Sequence, residues 1–121
     1  LVNLQYGDFG EELKRLETDF GCHVYTVGSV DTFNDLDGFA ALVGACDRVV
    51  SVDNATVHFA GALNKECDVL LPYNSDWRWG RKGNKTTLWY GSLRLHWQET
   101  LGEWDGCLEG LNRHLCMNLS D

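Results

Sequence analysis

The chain has 121 residues, ten Lys and Arg against eighteen Asp and Glu, a formal net charge of -8 and 44% apolar residues. At roughly 150 residues per domain that describes one globular domain, 1–121, and excludes disorder, collagen and coiled coil. The acidic balance excludes the clustered positive charge that a long nucleic acid requires, and no apolar run approaches the ~20 residues that cross a bilayer, so neither nucleic-acid binding nor membrane spanning is expected.

In chain order, short apolar runs alternate with stretches of helical period, the βαβ signature of a parallel sheet. Strands are predicted at 1–4, 23–27, 48–52, 67–71 and 93–97, and helices at 9–19, 35–45, 55–63 and 104–116. Asp35 precedes Phe39, Leu42 and Val43 at helical spacing, Asn54 stands as a cap before Ala55, and Gly102-Glu103 opens the last helix. Residues 72–91 form the only long irregular piece. The expected fold is a three-layer, Rossmann-like α/β domain of about five parallel strands, in the order 2-1-3-4-5, with helices on both faces.

The five cysteines, Cys22, Cys46, Cys67, Cys107 and Cys116, are an odd count without a C-x-x-C pair, so neither a zinc site nor a disulfide framework is expected. Three fall inside apolar segments, which suggests buried reduced thiols and a cytoplasmic protein. No signal-peptide pattern is present. The chain begins Leu1-Val2-Asn3-Leu4 without methionine and already apolar, which reads as a fragment cut near or inside a strand.

In open α/β sheets ligands bind beyond the carboxyl ends of the strands. After the third predicted strand comes Asp53-Asn54-Ala55-Thr56-Val57-His58. The strand runs straight into a helix, so the N–H groups of Ala55, Thr56 and Val57 and the positive end of the helix dipole suit a phosphate or diphosphate, with His58 one turn in. The plainer alternative is that Asn54 only caps the helix, Asp53 ties the loop and His58 is an ordinary surface histidine. After the first strand, Gly7, Gly10 and Glu11 could turn over a ribose, or Glu11 could simply complement the helix dipole. In 76–82, Trp77, Trp79, Arg78, Arg81 and Lys82 suit stacking on a base beside a phosphate, or the tryptophans could fill a satellite core while Arg78 bridges a carboxylate. No Walker motif or nucleophile elbow occurs, and His23, His96 and His114 are too scattered for a metal site; no metal or cofactor is expected.

Two consecutive segments carry a family resemblance. They are Asp35-Leu36-Asp37-Gly38-Phe39-Ala40-Ala41-Leu42-Val43 and the run Asp47-Arg48-Val49-Val50-Ser51-Val52-Asp53-Asn54-Ala55-Thr56-Val57-His58-Phe59-Ala60-Gly61-Ala62-Leu63. With Leu70-Leu71-Pro72-Tyr73, Asp76-Trp77-Arg78-Trp79-Gly80 and Trp89-Tyr90-Gly91, they resemble the C-terminal donor-binding domain of heptosyltransferase-like bacterial glycosyltransferases, in the branch usually fused to tetratricopeptide repeats. The resemblance implies half of a GT-B architecture, lacking its first strand and the N-terminal acceptor domain, and a nucleotide-diphosphate sugar as partner. It assigns Asp53 to the transferred sugar, Asn54, Ala55 and His58 to the diphosphate, and Glu11 to the ribose; Thr56, Val57, Trp77 and Arg78 complete the expected site. Asn54 and Ala55 replace the family's more usual small residues at this turn. The implied function is the donor-binding half of an inverting, metal-independent transferase, inactive by itself. The alternative is a non-catalytic nucleotide- or phosphate-binding module with flavodoxin-like topology; a phosphoacceptor receiver is disfavoured by Gln5, Tyr6 and Gln98, which stand where its acid pair and lysine belong.

Overall fold

Acidic side chains at the start and a glycine at the end bound the first helix, α1 (Gly10–Phe20). Glu11 and Glu12 complement the dipole in the first turn, and Gly21, at φ 62°, takes the left-handed conformation that lets its N–H reach the Glu17 carbonyl while Cys22 N–H reaches Leu16. The second helix, α2 (Leu36–Ala45), is capped by Asp35, whose carboxylate accepts from Gly38 N–H at 2.8 Å; Phe39 and Val43, four apart on one face, are its buried residues. Both helices belong to Leu1–Cys46, one of two compact units of this computed structural model, which describes residues 1–118.

The second unit, Asp47–Asp121, holds the sheet. Its strands are β1 (Arg48–Val52), β2 (Glu66–Leu71) and β3 (Leu93–Trp97), all parallel and in the spatial order β1-β2-β3. Helix α3 (Ala55–Ala62) joins β1 to β2 and packs on both, while α4 (Asp105–Asn118) packs on β2 and β3. The core gathers Val49, Val69, Leu71, Leu93 and Leu95 from the strands, Val57 and Ala60 from α3, and Cys107 and Leu111 from α4. As the central strand, β2 buries Cys67, Asp68 and Val69 in succession, which means both its faces are covered. The long segment 72–92 between β2 and β3 contains one 3₁₀ turn, Trp77–Trp79, that sinks Trp79 into the core.

The expected five-stranded, three-layer sheet is corrected to three strands among the described residues, and the order 2-1-3-4-5, with the flavodoxin-like topology built on it, falls as well. Residues 1–4 and 23–27 form no ladder beyond a single parallel bridge between Val2 and Tyr25, held by Asn3 N–H to the Tyr25 carbonyl and Tyr25 N–H to the Leu1 carbonyl. The reason lies in their side chains. A buried parallel strand is apolar on both faces, whereas these segments carry Asn3, His23, Tyr25 and Thr26, and Leu1, Val2 and Tyr25 are exposed. Asn3, the buried residue of the pair, turns its carboxamide to Thr26 and to the Gln5 N–H, which favours a local turn over ladder extension.

Of the three cysteines expected to be buried from their apolar segments, Cys67 is buried, Cys46 is half-buried and Cys116 is exposed; Cys107 is the second buried thiol. Burial, reinforced by the neighbouring Asp68 charge, pushes the Cys67 thiol up to about 12. No helix among the described residues is long and apolar enough to cross a membrane.

Candidate functional site

The carboxyl end of β1 turns into α3 through Ser51, Val52, Asp53 and Asn54. Asn54 is in extended conformation, and its carboxamide oxygen accepts the Thr56 N–H at 2.9 Å and the Ser51 hydroxyl at 3.2 Å. One of the three amides predicted for an anion is thus met by the cap itself. Thr56 and Val57 are buried, so Val57 contributes its side chain to the core. Asp53 accepts the Ser75 hydroxyl at 3.4 Å, which ties the β1–α3 turn to the segment after β2. At the end of β2, buried Gln98 donates its N–H to the Leu71 carbonyl and accepts the Tyr73 N–H on its side chain.

One turn into α3, His58 has aromatic neighbours. Its ring lies stacked 5.5 Å from Trp79 and edge-on at 5.8 Å to Tyr90, whose hydroxyl lies 3.1 Å from Nδ1. Gly61, one turn further, makes room for that tyrosine: a Cβ there would come within 2.3 Å of the Tyr90 ring. His58, Arg78, Trp79, Trp89 and Tyr90 line a pocket of about 110 Å³, enough for a single small group rather than a whole nucleotide.

The two readings of 76–82 divide between its tryptophans. Trp79 is 1% exposed and fills the core, while Trp77 is 70% exposed and meets Trp89 edge-on. Arg78 pairs with Asp76 at 2.9 Å and lies 5.1 Å over the Trp77 ring, and hydrogen bonding to the Arg78 backbone and side chain holds the Asp76 carboxyl below its usual range. The Trp79 indole N–H is buried and has no acceptor among the described residues, a donor worth about 1–3 kcal/mol if a partner meets it. Glu11 belongs to the first unit, exposed in the first turn of α1.

Sequence reasoning missed a second constellation. Asp68, 2% exposed on β2, accepts from Arg48 at 3.3 Å, lies 2.7 Å from His96 Nε2 and 3.7 Å from His114 Nε2; Arg48 also pairs with Glu66. The register explains it, since Arg48 pairs with Glu66, Val50 with Asp68, and Asp68 with Arg94, so alternate residues of three strands stand on one face. Helix α4 brings His114 to that face. The available signal was a polar, titratable residue inside each of two apolar runs, Asp68 in 67–71 and His96 in 93–97.

No family model matches the chain, and no solved structure matches it. A similar curated protein is Protein FlbA of Caulobacter vibrioides, 36% identical over 104 residues. That alignment takes in 86% of this chain and 17% of FlbA, so the chain spans about a sixth of the length of this relative.

Proposed function

We propose that this chain is the donor-binding portion of a longer bacterial glycosyltransferase of heptosyltransferase type, working in the cytoplasm on a nucleotide-diphosphate sugar. The observation that carries the reading is the turn from β1 into α3, with His58 one turn in and held by Tyr90 Oη at 3.1 Å. A diphosphate leaving group needs positive electrostatic potential where its charge develops, and a helix N-terminus with a histidine supplies it. To reach the Thr56 N–H the diphosphate would displace the Asn54 cap, whereas His58 and Arg78 already share a pocket. Trp79, whose buried N–H has no acceptor among the described residues, lines the pocket with His58, and the exposed Trp77 ring offers a stacking surface. Asp53 in this reading meets the sugar. The acceptor domain, any tetratricopeptide repeats and the base for the acceptor hydroxyl would lie in the remainder of the longer protein; the small share of FlbA that the chain covers is consistent with such a remainder.

Calorimetric titration of the chain with UDP, ADP and GDP tests this. One of the three should bind, and His58→Ala should weaken it by about 1.5–3 kcal/mol, the worth of a charge-assisted hydrogen bond. Equal affinity in the variant would remove His58 from the site, and no binding by any of the three would remove the reading.

A further inference from the structure

The acidic chain gathers positive charge in one place far along the sequence from the β1–α3 turn. Between β3 and α4 lies a pocket of about 540 Å³, lined by Lys85, Arg94, His96, Arg113, His114 and Met117 among others. Three of the chain's ten Lys and Arg residues converge there, although Asp and Glu outnumber them across the sequence. Their charge is poorly compensated. Among the described residues neither Lys85 nor Arg94 lies within ion-pair distance of a carboxylate, and Arg113 has only Glu109 at 4.0 Å, a solvent-exposed contact of little strength. The buried carboxylate beneath the pocket, Asp68, is already engaged by Arg48 and by His96 Nε2. Gly110 of α4 leaves the other His96 nitrogen uncovered by a side chain: a Cβ built there would sit 3.7 Å from Nδ1.

We propose that the pocket between β3 and α4 binds a small phosphorylated molecule, its phosphate held by Arg94, Arg113 and Lys85 with His114 at the edge, and its uncharged body against Met117. Two guanidinium groups and an ammonium match a phosphate dianion better than a single carboxylate, because each guanidinium can offer two parallel donors. The volume is within the usual range for a small-molecule site. The reading stands independently of the donor-binding proposal, because the two pockets have no lining residue in common.

The histidines provide the readout. His114 is held below its ordinary value by burial and by the nearby charges of Arg94, Arg48 and His96, against the pull of Asp68. The groups facing it are Arg48 of β1, Asp68 of β2, Arg94 and His96 of β3, and Arg113 of its own helix, with Glu66 and Glu109 paired to the two outer arginines. An anion among these cations favours protonated His114, so binding should raise its titration midpoint.

The test is NMR of the imidazole signals of the 121-residue chain during titration with inorganic phosphate and with glucose 1-phosphate, at ionic strength matched with sodium chloride. Saturable shifts of the His96 and His114 signals are expected, with the His114 midpoint moving up and glucose 1-phosphate binding the tighter of the two. The doubly substituted Arg94→Gln, Arg113→Gln chain should bind at least about tenfold more weakly, and Arg94→Lys with Arg113→Lys should recover part of the loss. Both arginines are exposed, so these chains should keep the wild-type fold, checked by their spectra. Shifts no larger than those from chloride, or an affinity unchanged by the Gln substitutions, would overturn the proposal.

Discussion

Two histidine environments in the same unit show opposite ways of holding an imidazole. His58 sits among aromatic rings, stacked on Trp79 and hydrogen-bonded to Tyr90, and no ion pair among the described residues involves it. His96 and His114 sit over a buried carboxylate, Asp68, that is shared with Arg48. Each environment faces a helical glycine, Gly61 under Tyr90 and Gly110 against His96, but the clearances are 2.3 Å and 3.7 Å. The first site depends on shape and the second on charge, and substitutions should separate them accordingly.

The largest effect is expected from Asp68→Ala. Removing one member of a buried charge network leaves Arg48 without its inner partner, at a cost of about 3–5 kcal/mol, toward the lower end here because Arg48 is a quarter exposed and can turn to Glu66. Urea denaturation measures it, and a loss below about 1 kcal/mol would mean that Asp68 does not organise the cluster. Next comes Gly61→Ala, which drives a methyl group into the Tyr90 ring and should cost about 1–3 kcal/mol. Adding Tyr90→Ser to Gly61→Ala should relieve most of that penalty in a double-mutant cycle, whereas additive losses would place the strain elsewhere.

Gly110→Ala carries the opposite sign. A Cβ there makes ordinary contact with His96, and an alanine inside α4 should stabilise the helix by about 0.5–1 kcal/mol, read as a raised denaturation midpoint. A loss of stability would show that the floor of the charged pocket is tighter than that of the aromatic one.

The smallest effect is a pH slope. Because His114 in the folded chain sits below its ordinary value of 6.5, the folded chain binds that proton less readily than the unfolded chain does. Its contribution to stability is complete above the ordinary value and is lost as pH falls through the folded one. Stability should therefore decline as pH falls through and below 6.5, and His114→Gln should flatten that slope. An unchanged slope in the variant would assign the acid sensitivity to other groups.

What the sequence determined by itself were the segments whose periodicity is local. The strands 48–52 and 93–97 are observed at those bounds, 67–71 gains only Glu66, and the four helices fall within two residues of their expected ends. The Asn54 cap and the strand-to-helix turn at Asp53 were legible for the same reason, since a cap and its helix are neighbours in sequence. The number of strands was not legible. Whether 1–4 and 23–27 extend a ladder depends on partners and burial that no local window contains, and there Asn3 and Tyr25 allowed only a bridge. The segment 72–91 was legible as irregular, but the separation of buried Trp79 from exposed Trp77 needed the 3₁₀ turn, which points neighbouring side chains in different directions. The Asp68 cluster was decided by tertiary structure alone. Arg48, Asp68, His96 and His114 come from four separate elements, and only the register of three parallel strands and the packing of α4 across them bring those side chains to one face.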